Sequence, residues 1–340
     1  MRSTERAIMA AALAAVCALP PYSFGTARAQ DKTYVMKITT PTINAAPDRY
    51  ARNLAAALEK DSGGRIKAQV YPASQLGSIP RQIEGTQFGS IQCAVIPPEF
   101  FVGVDQRYEV LAAPGLLSSI AQGQRLAADP SVLKLMLGLG ANKGLRGAAL
   151  FFVEPAEVVS QKPIRHLADF KGKKLRIFAS EFQSVAFKRL GATPVAMSPA
   201  DVLPAIQQGA LDGAAFGVQL LSGLHFYDSV KYATMAHQAA IFIVVELSRK
   251  WYESLPPDLR ELVDRDAARE AAAINPQAVD ILNVARKTWV NNGGELINLP
   301  PQEQVDMLKT LSSVGEDVAA SNPAVKEAYR IVKEAAERSK

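Results

Sequence analysis

The chain has 340 residues, 48% of them apolar and 21% charged, which is ordinary for a globular protein with a sizeable core and enough for two domains. The formal charge is +5, and Lys and Arg are mostly interleaved with acids on helical faces, which argues against a nucleic-acid-binding surface. The three histidines, His166, His225 and His237, fall in no metal-ligand spacing, and no H-E-x-x-H, G-x-S-x-G, P-loop or G-x-G-x-x-G occurs, so the expectation is a protein that is not an enzyme and holds no metal or cofactor.

The N-terminus carries Arg2 and Arg6, then the apolar run "AIMAAALAAVCALP", then "TARA" ending at Ala29. These are the basic region, apolar region and small-residue cleavage site of a signal peptide over residues 1–29. The run is too short to span a bilayer, which takes roughly 20 apolar residues. The mature chain is therefore expected to be periplasmic, with a net charge of +3 once three Arg and one Glu are removed, and with no direct membrane insertion. Val16 is too large for a lipoprotein site before Cys17. Cleavage leaves Cys93 alone, in the apolar "SIQCAVIPP", where a buried inert thiol is expected and no intramolecular disulfide is possible.

"TYVMKITTP" alternates as a strand. "APDRYARNLAAALEKDSGG" reads as a helix, with Pro47 and Asp48 in its first turn and Gly63–Gly64 at its end. "RIKAQVYP" is a strand, "SIPRQIEGTQFGS" a short helix, and "IQCAVIPP" a uniformly apolar strand. The βαβ grammar of a parallel sheet follows. It restarts after "KPIRHLADFKGK": strand "KLRIFA", a helix begun by a capping box of Ser180 and Gln183, strand "TPVAM", a helix begun by Ser198 and Pro199, and strand "LDGAAFG". From Pro257 to Val290 the sequence is helix-permissive for about 50 Å, with a kink or break expected at Pro276. Shorter helices are predicted near 301–311 and 323–339.

Two α/β units and a helix long enough to reach across both predict a bilobed α/β protein with a cleft. Ligands of open parallel sheets bind beyond the carboxyl ends of the strands. Arg176 in "KLRIFA" lies near such an end, before a capped helix. It is either a ligand anchor, offering a planar fork to a carboxylate, or the partner of a surface carboxylate.

The ordered motifs resemble the solute-binding proteins of tripartite ATP-independent periplasmic (TRAP) transporters. They are "KDSGGRIKAQVYPASQLGS", "QIEGTQFGSIQCAVIP", "LADFKGKKLRI", "RLGATPVAMSPADVLPAIQQGALDGAA" and "WYESLPPDLRELV", and the similarity covers roughly residues 33–300. The resemblance implies a type II-like periplasmic-binding-protein fold with two α/β lobes, hinge strands, a long helix across both, and closure on an organic acid. It places lobe I at 30–154, completed by about 238–256, and lobe II at 155–237. The spanning helix takes 257–290, and helices packing on the lobes take 291–340. It implies delivery to large and small TRAP membrane subunits, and puts the carboxylate-binding arginine on Arg176.

Two departures bear on the ligand. Pro155, in "FFVEPAEVVSQKPI", falls about where many members have a second arginine, and Phe216 stands where the family often has Asn. They suggest a monocarboxylate with an apolar or aromatic body. Phe178 and Asn44 are further candidate contacts. The alternatives are a small hydroxy, keto or dicarboxylic acid as ligand, a ligand-sensing role for a signalling partner, and an exported enzyme using Glu154 or His237.

Overall fold

The computed structural model describes residues 32–340, so the expected signal peptide, Cys17 and the cleavage site lie outside the described residues. In the first unit, β1 (Tyr34–Thr39) leads into α1 (Ala46–Asp61), where Pro47 sits in the first turn and so forfeits no helical hydrogen bond. Tyr50, Ala51, Leu54, Ala55 and Leu58 are buried at helical spacing. Gly63 and Gly64 take the left-handed backbone that ends the helix. Then come β2 (Ile66–Tyr71), α2 (Ile79–Phe88) and β3 (Cys93–Ile96), with β1 parallel to both other strands. All of β3 is buried, and burial pushes the Cys93 thiol far above its usual range. After β3, α3 (Ile120–Ala128) and α4 (Pro130–Gly138) pack on the sheet.

The second unit repeats the grammar with β5 (Lys174–Ile177), α5 (Glu181–Arg189), β6 (Thr193–Ala196), α6 (Pro199–Gln207), β7 (Gly213–Phe216) and α7 (Val218–Gly223); β5 is parallel to β6 and β7. Two long antiparallel strands join the units: β4 (Leu145–Ser160), which precedes the second unit, and β8 (Tyr232–Ser248), which follows it. β3 pairs with the C-terminal half of β8, and β7 with the C-terminal half of β4. One sheet of order β2-β1-β3-β8-β4-β7-β5-β6 therefore runs through both lobes. The β4–β8 ladder slips three times, near 147–149, 152–154 and 156–158, and at the last slip Met235 to Gln238 loop out opposite Glu157. The fold is the expected bilobed binding-protein architecture, with β4 and β8 as the strands that cross between lobes.

After β8 come α8 (Arg249–Ser254) and α9 (Pro257–Asn291). α9 runs unbroken through Pro276, because side chains of both lobes hold it on either side. Tyr50 Oη donates to the Ala267 carbonyl (3.1 Å), Gln219 Nε2 to Ala278 (3.1 Å) and Ser222 Oγ to Ala285 (2.8 Å). The chain ends in β9 (Glu295–Ile297), which pairs with β8, and α10 (Pro301–Leu311), α11 (Val314–Ser321) and α12 (Pro323–Arg338). Successive residues of the crossing strands feed different cores. Phe151, Val153, Ile241 and Ile243 pack under α1 and α9, while Phe152, Ala240 and Phe242 pack with the C-terminal helices.

Candidate functional site

A small cavity, about 30 Å³, lies where the carboxyl ends of β1, β3, β5 and β7 converge. Pro41, Thr42 and Ala45 reach it from after β1, Pro97 and Phe100 from after β3, Phe178 from after β5, and Phe216, Gly217 and Gln219 from β7 and α7; Val153, Glu154, Ile241 and Ile243 form its floor. No Lys, Arg or His lines it.

Arg176 stands immediately behind this wall. It is fully buried. Its register opposite Val195 and Ala214 puts it in the interior of the sheet, where Leu175 and Ile177 face the hydrophobic core. Nε donates to the Met197 carbonyl and Nη1 to the Ala215 carbonyl, both at 2.8 Å, while Nη2 has no partner. The guanidinium carbon lies 4.2 Å from the Phe216 ring centre, 4.5 Å from Phe178 and 5.8 Å from Phe100. This cation is held by two carbonyl dipoles and aromatic faces and by no carboxylate in ion-pair contact. Burial pulls its pKa down to about 9, partly offset by the field of Glu99, so it stays charged at neutral pH.

Two acids are buried as well, Glu99 within the field of Arg176 and Glu154 on the cavity wall within the field of Arg286. Burial pushes Glu99 up to about 8, and its Oε2 has no hydrogen-bond partner. Burial likewise pushes Glu154 up to about 8, although its carboxylate accepts the Gln219 N–H at 3.1 Å. Gly217 makes room for it, since a Cβ there would come within 2.0 Å of Glu154 Oε1. Both acids hold a proton at neutral pH and present neutral hydrogen-bonding groups. Sequence reading missed Glu99, Phe100 and Gln219 as parts of the site. Their only signal was a position just past the end of a strand.

The structure brings Arg176, Phe178 and Phe216 together. Phe216 serves two surroundings, because it lines the cavity and also packs in the lobe II core edge-on to Phe226, 5.6 Å between centres. Asn44 is elsewhere. It is exposed, in left-handed backbone (φ 56°), and lines a surface depression with His225, Tyr227 and α9, because its N–H turns back to Asp48 Oδ2 at 3.1 Å. Pro155 is also elsewhere. Strand alternation turns Glu154 toward the cavity and Pro155 into a separate cavity on the other face of β4, so Pro155 says nothing about the charge beside Arg176.

The N-terminus of α5 departs from the expected capping box. Ser180 Oγ accepts the Gln183 N–H, but the Gln183 side chain accepts from the Phe178 N–H at 2.9 Å. The Ser180 N–H is already bonded to the Phe178 carbonyl (2.8 Å), so the return bond falls two residues earlier and pins Phe178. The lobes are clasped on each side of the cleft. Gln219 Oε1 of lobe II accepts the Ala46 N–H at the start of α1 (2.8 Å), and Glu109 of lobe I accepts the Glu181 N–H at the start of α5 (2.6 Å).

Known proteins resemble this chain in sequence and fold. The family model described as bacterial extracellular solute-binding protein, family 7, matches residues 44–322. An uncharacterized protein, YiiZ, of Salmonella typhimurium is 29% identical over 223 residues, 65% of this chain and 68% of its own. The C4-dicarboxylate-binding periplasmic protein DctP of Vibrio cholerae is 23% identical over 270 residues, 77% of this chain and 81% of its own. Among solved structures, a TRAP periplasmic solute binding protein from Desulfovibrio salexigens with bound orotic acid superposes with a TM-score of 0.83 at 21% identity, covering 91% of this chain and all of that one. No helix among the described residues is long and apolar enough to cross a membrane. With a family model spanning most of its length and the bilobed sheet in place, the chain belongs to the bacterial extracellular solute-binding protein family 7, the receptors of TRAP transporters.

Proposed function

We propose that this chain is the periplasmic receptor of a TRAP transporter for a monocarboxylate with an apolar or aromatic body, which it hands to large and small membrane subunits. The observation that carries this reading is Arg176: a fully buried cation at the carboxyl ends of the strands, with one nitrogen unpartnered and no carboxylate paired to it. A buried charge without a counter-ion is costly, and a ligand carboxylate supplies that counter-ion through the planar fork. Phe178 and Phe216 cover the ligand body, and Asn44, outside the cavity, makes no contact with it.

The wall supports one carboxylate and not two. Its side chains are mainly aromatic and aliphatic, it holds no second cation, and its polar groups Thr42, Glu154 and Gln219 are bonded within the protein. A second carboxylate would lose hydration worth several kcal/mol (about 2–5) without compensation. Orotic acid, carried by the Desulfovibrio salexigens protein, is a planar ring with one carboxylate and so an example of the favoured shape. A cavity of about 30 Å³ admits one or two waters, so ligand entry requires the lobes to part. We take the hinge to lie at the two mid-ladder irregularities of β4 and β8, near 152–158 and 234–242, a reading in keeping with lobe boundaries near 154 and 237.

Competition binding tests the ligand class. Benzoate and orotate are expected to bind more tightly than succinate and malate. The reverse order would overturn the single-carboxylate reading while leaving Arg176 as anchor.

A further inference from the structure

A second cavity, of about 510 Å³, opens on the opposite face of β4 and β8 from Arg176, closed off by α9, α10 and the segment 113–120. Its volume is that of a small-molecule site. We propose that it is a second binding site, for a small carboxylate with an apolar body, with Arg286 as anion anchor and the Gln238 amide as the second polar contact.

Two side chains carry the argument. Gln238 lines the cavity from the looped-out part of β8, only 2% exposed, and neither its amide oxygen nor its nitrogen has a hydrogen-bond partner. A buried amide with both ends unsatisfied destabilises the fold unless something in the cavity bonds it. Arg286 reaches the same cavity from α9. It forms no ion pair or hydrogen bond with another side chain, and its Nε is buried without a partner. The acid within its field is Glu154, which burial pushes up to about 8, and no carboxylate among the described residues makes ion-pair contact with it.

The other polar groups at the wall are already engaged. Ser118 Oγ donates to Gln122 Oε1, Ser119 Oγ accepts the Gln122 N–H, and Gln304 Nε2 donates to the Ala236 carbonyl. His237, in left-handed backbone (φ 50°), pairs with the buried Glu157 carboxylate at 3.0 Å, and the Glu157 bond holds the imidazole above its ordinary pKa. Glu157 makes its close contact with His237 and not with Arg286. The remaining wall is apolar, with Leu116, Ile120, Phe152 and Leu308 facing the space where a ligand body would lie. One positive fork, one free amide and an apolar chamber select an amphipathic anion.

The cavity takes its walls from both crossing strands and from α9, so its shape depends on the hinge. Any coupling between its occupancy and that of the Arg176 cleft is reciprocal by thermodynamic linkage. The proposal does not rest on the ligand assigned to that cleft.

The two sites carry different isoleucines: Ile120 on this cavity, Ile241 and Ile243 on the cleft. Methyl NMR of the isoleucine-labelled mature protein, titrated with benzoate, reads each separately. The Ile120 methyl is expected to shift saturably in the wild type and in Arg176→Ala. Arg286→Gln is expected to weaken that response about tenfold or more, and Gln238→Leu to weaken it by less. An Ile120 methyl unmoved at millimolar benzoate overturns the proposal, as does a response of unchanged affinity in Arg286→Gln. Loss of the Ile241 and Ile243 responses alone counts against the cleft assignment and leaves this one standing.

Discussion

Arg146 and Arg176 are both strand arginines stacked on aromatic rings, and they are completed in opposite ways. Arg146, at the start of β4 in lobe I, lies 3.9 Å from the Tyr252 ring centre and pairs with Asp264 at 2.8 Å, and the Tyr252 hydroxyl donates to the same carboxylate. Its counter-ion is built into α9. Arg176 has the rings and two carbonyls but no carboxylate, and it is the more deeply buried of the two. At Arg146 the chain encodes the acid along with the cation. At the cleft the nearby acid, Glu99, acts on the cation only through its field and makes no ion-pair contact with it.

The sharpest way to break this contrast is to truncate each arginine. Arg176→Ala is expected to cost about 2–5 kcal/mol of carboxylate binding by titration calorimetry with a native circular dichroism spectrum. Arg146→Ala is expected to leave binding intact and to cost about 1 kcal/mol of unfolding free energy, because its pair is partly exposed. Equal binding losses in the two variants would end the distinction. Arg176→Lys probes the fork itself. A point charge cannot serve both carbonyls and a carboxylate, so affinity should fall about tenfold or more with the charge kept.

A smaller effect is expected at the ring. Phe216→Asn should shift preference from aromatic toward polar acids by roughly 1 kcal/mol, the size of an aromatic contact. Because Phe216 also packs against Phe226, a drop in melting temperature should accompany the shift. The smallest expected effect is on pH. The folded state holds the Glu99 and Glu154 protons up to about pH 8, well above the ordinary carboxyl range. The stabilisation from these protons is fully present below the ordinary carboxyl range and is lost progressively as pH rises from there to about 8. Ionisation there also sets new negative charge beside the bound carboxylate. Affinity should thus weaken by up to about tenfold between roughly pH 7 and 8, below the loss of charge at Arg176 near pH 9, and Glu99→Gln with Glu154→Gln should remove this lower limb of the profile.

Much of this was legible before any coordinates. The βαβ units announced themselves because β1 and β2 alternate, and because α1 and α6 begin with proline in the first turn and end at glycines or turns. Arg176 stood out as a cation inside an apolar strand. The crossing strands did not, because burial on both faces leaves "LRGAALFFVEPAEVVS" and "YATMAHQAAIFIVVELS" without a period to read. The cleft acids were hidden for a related reason: a glutamate in sequence carries no mark of burial, and only the packing of two lobes makes Glu99 and Glu154 neutral. Pro155 misled because a one-residue offset on a strand reverses the face.

The helix α9 ties these parts together in one further sense. Lobe I grips its backbone at Ala267, lobe II at Ala278 and Ala285, and Pro276, which cannot donate to the Ala272 carbonyl, falls between the grips. The rod is thus softest in the span where the two lobes pull on it from opposite ends. On the proposed opening of the lobes, such a member would bend as a leaf spring and not turn as a rigid axle, with the flexing concentrated in the one turn that lacks its hydrogen bond.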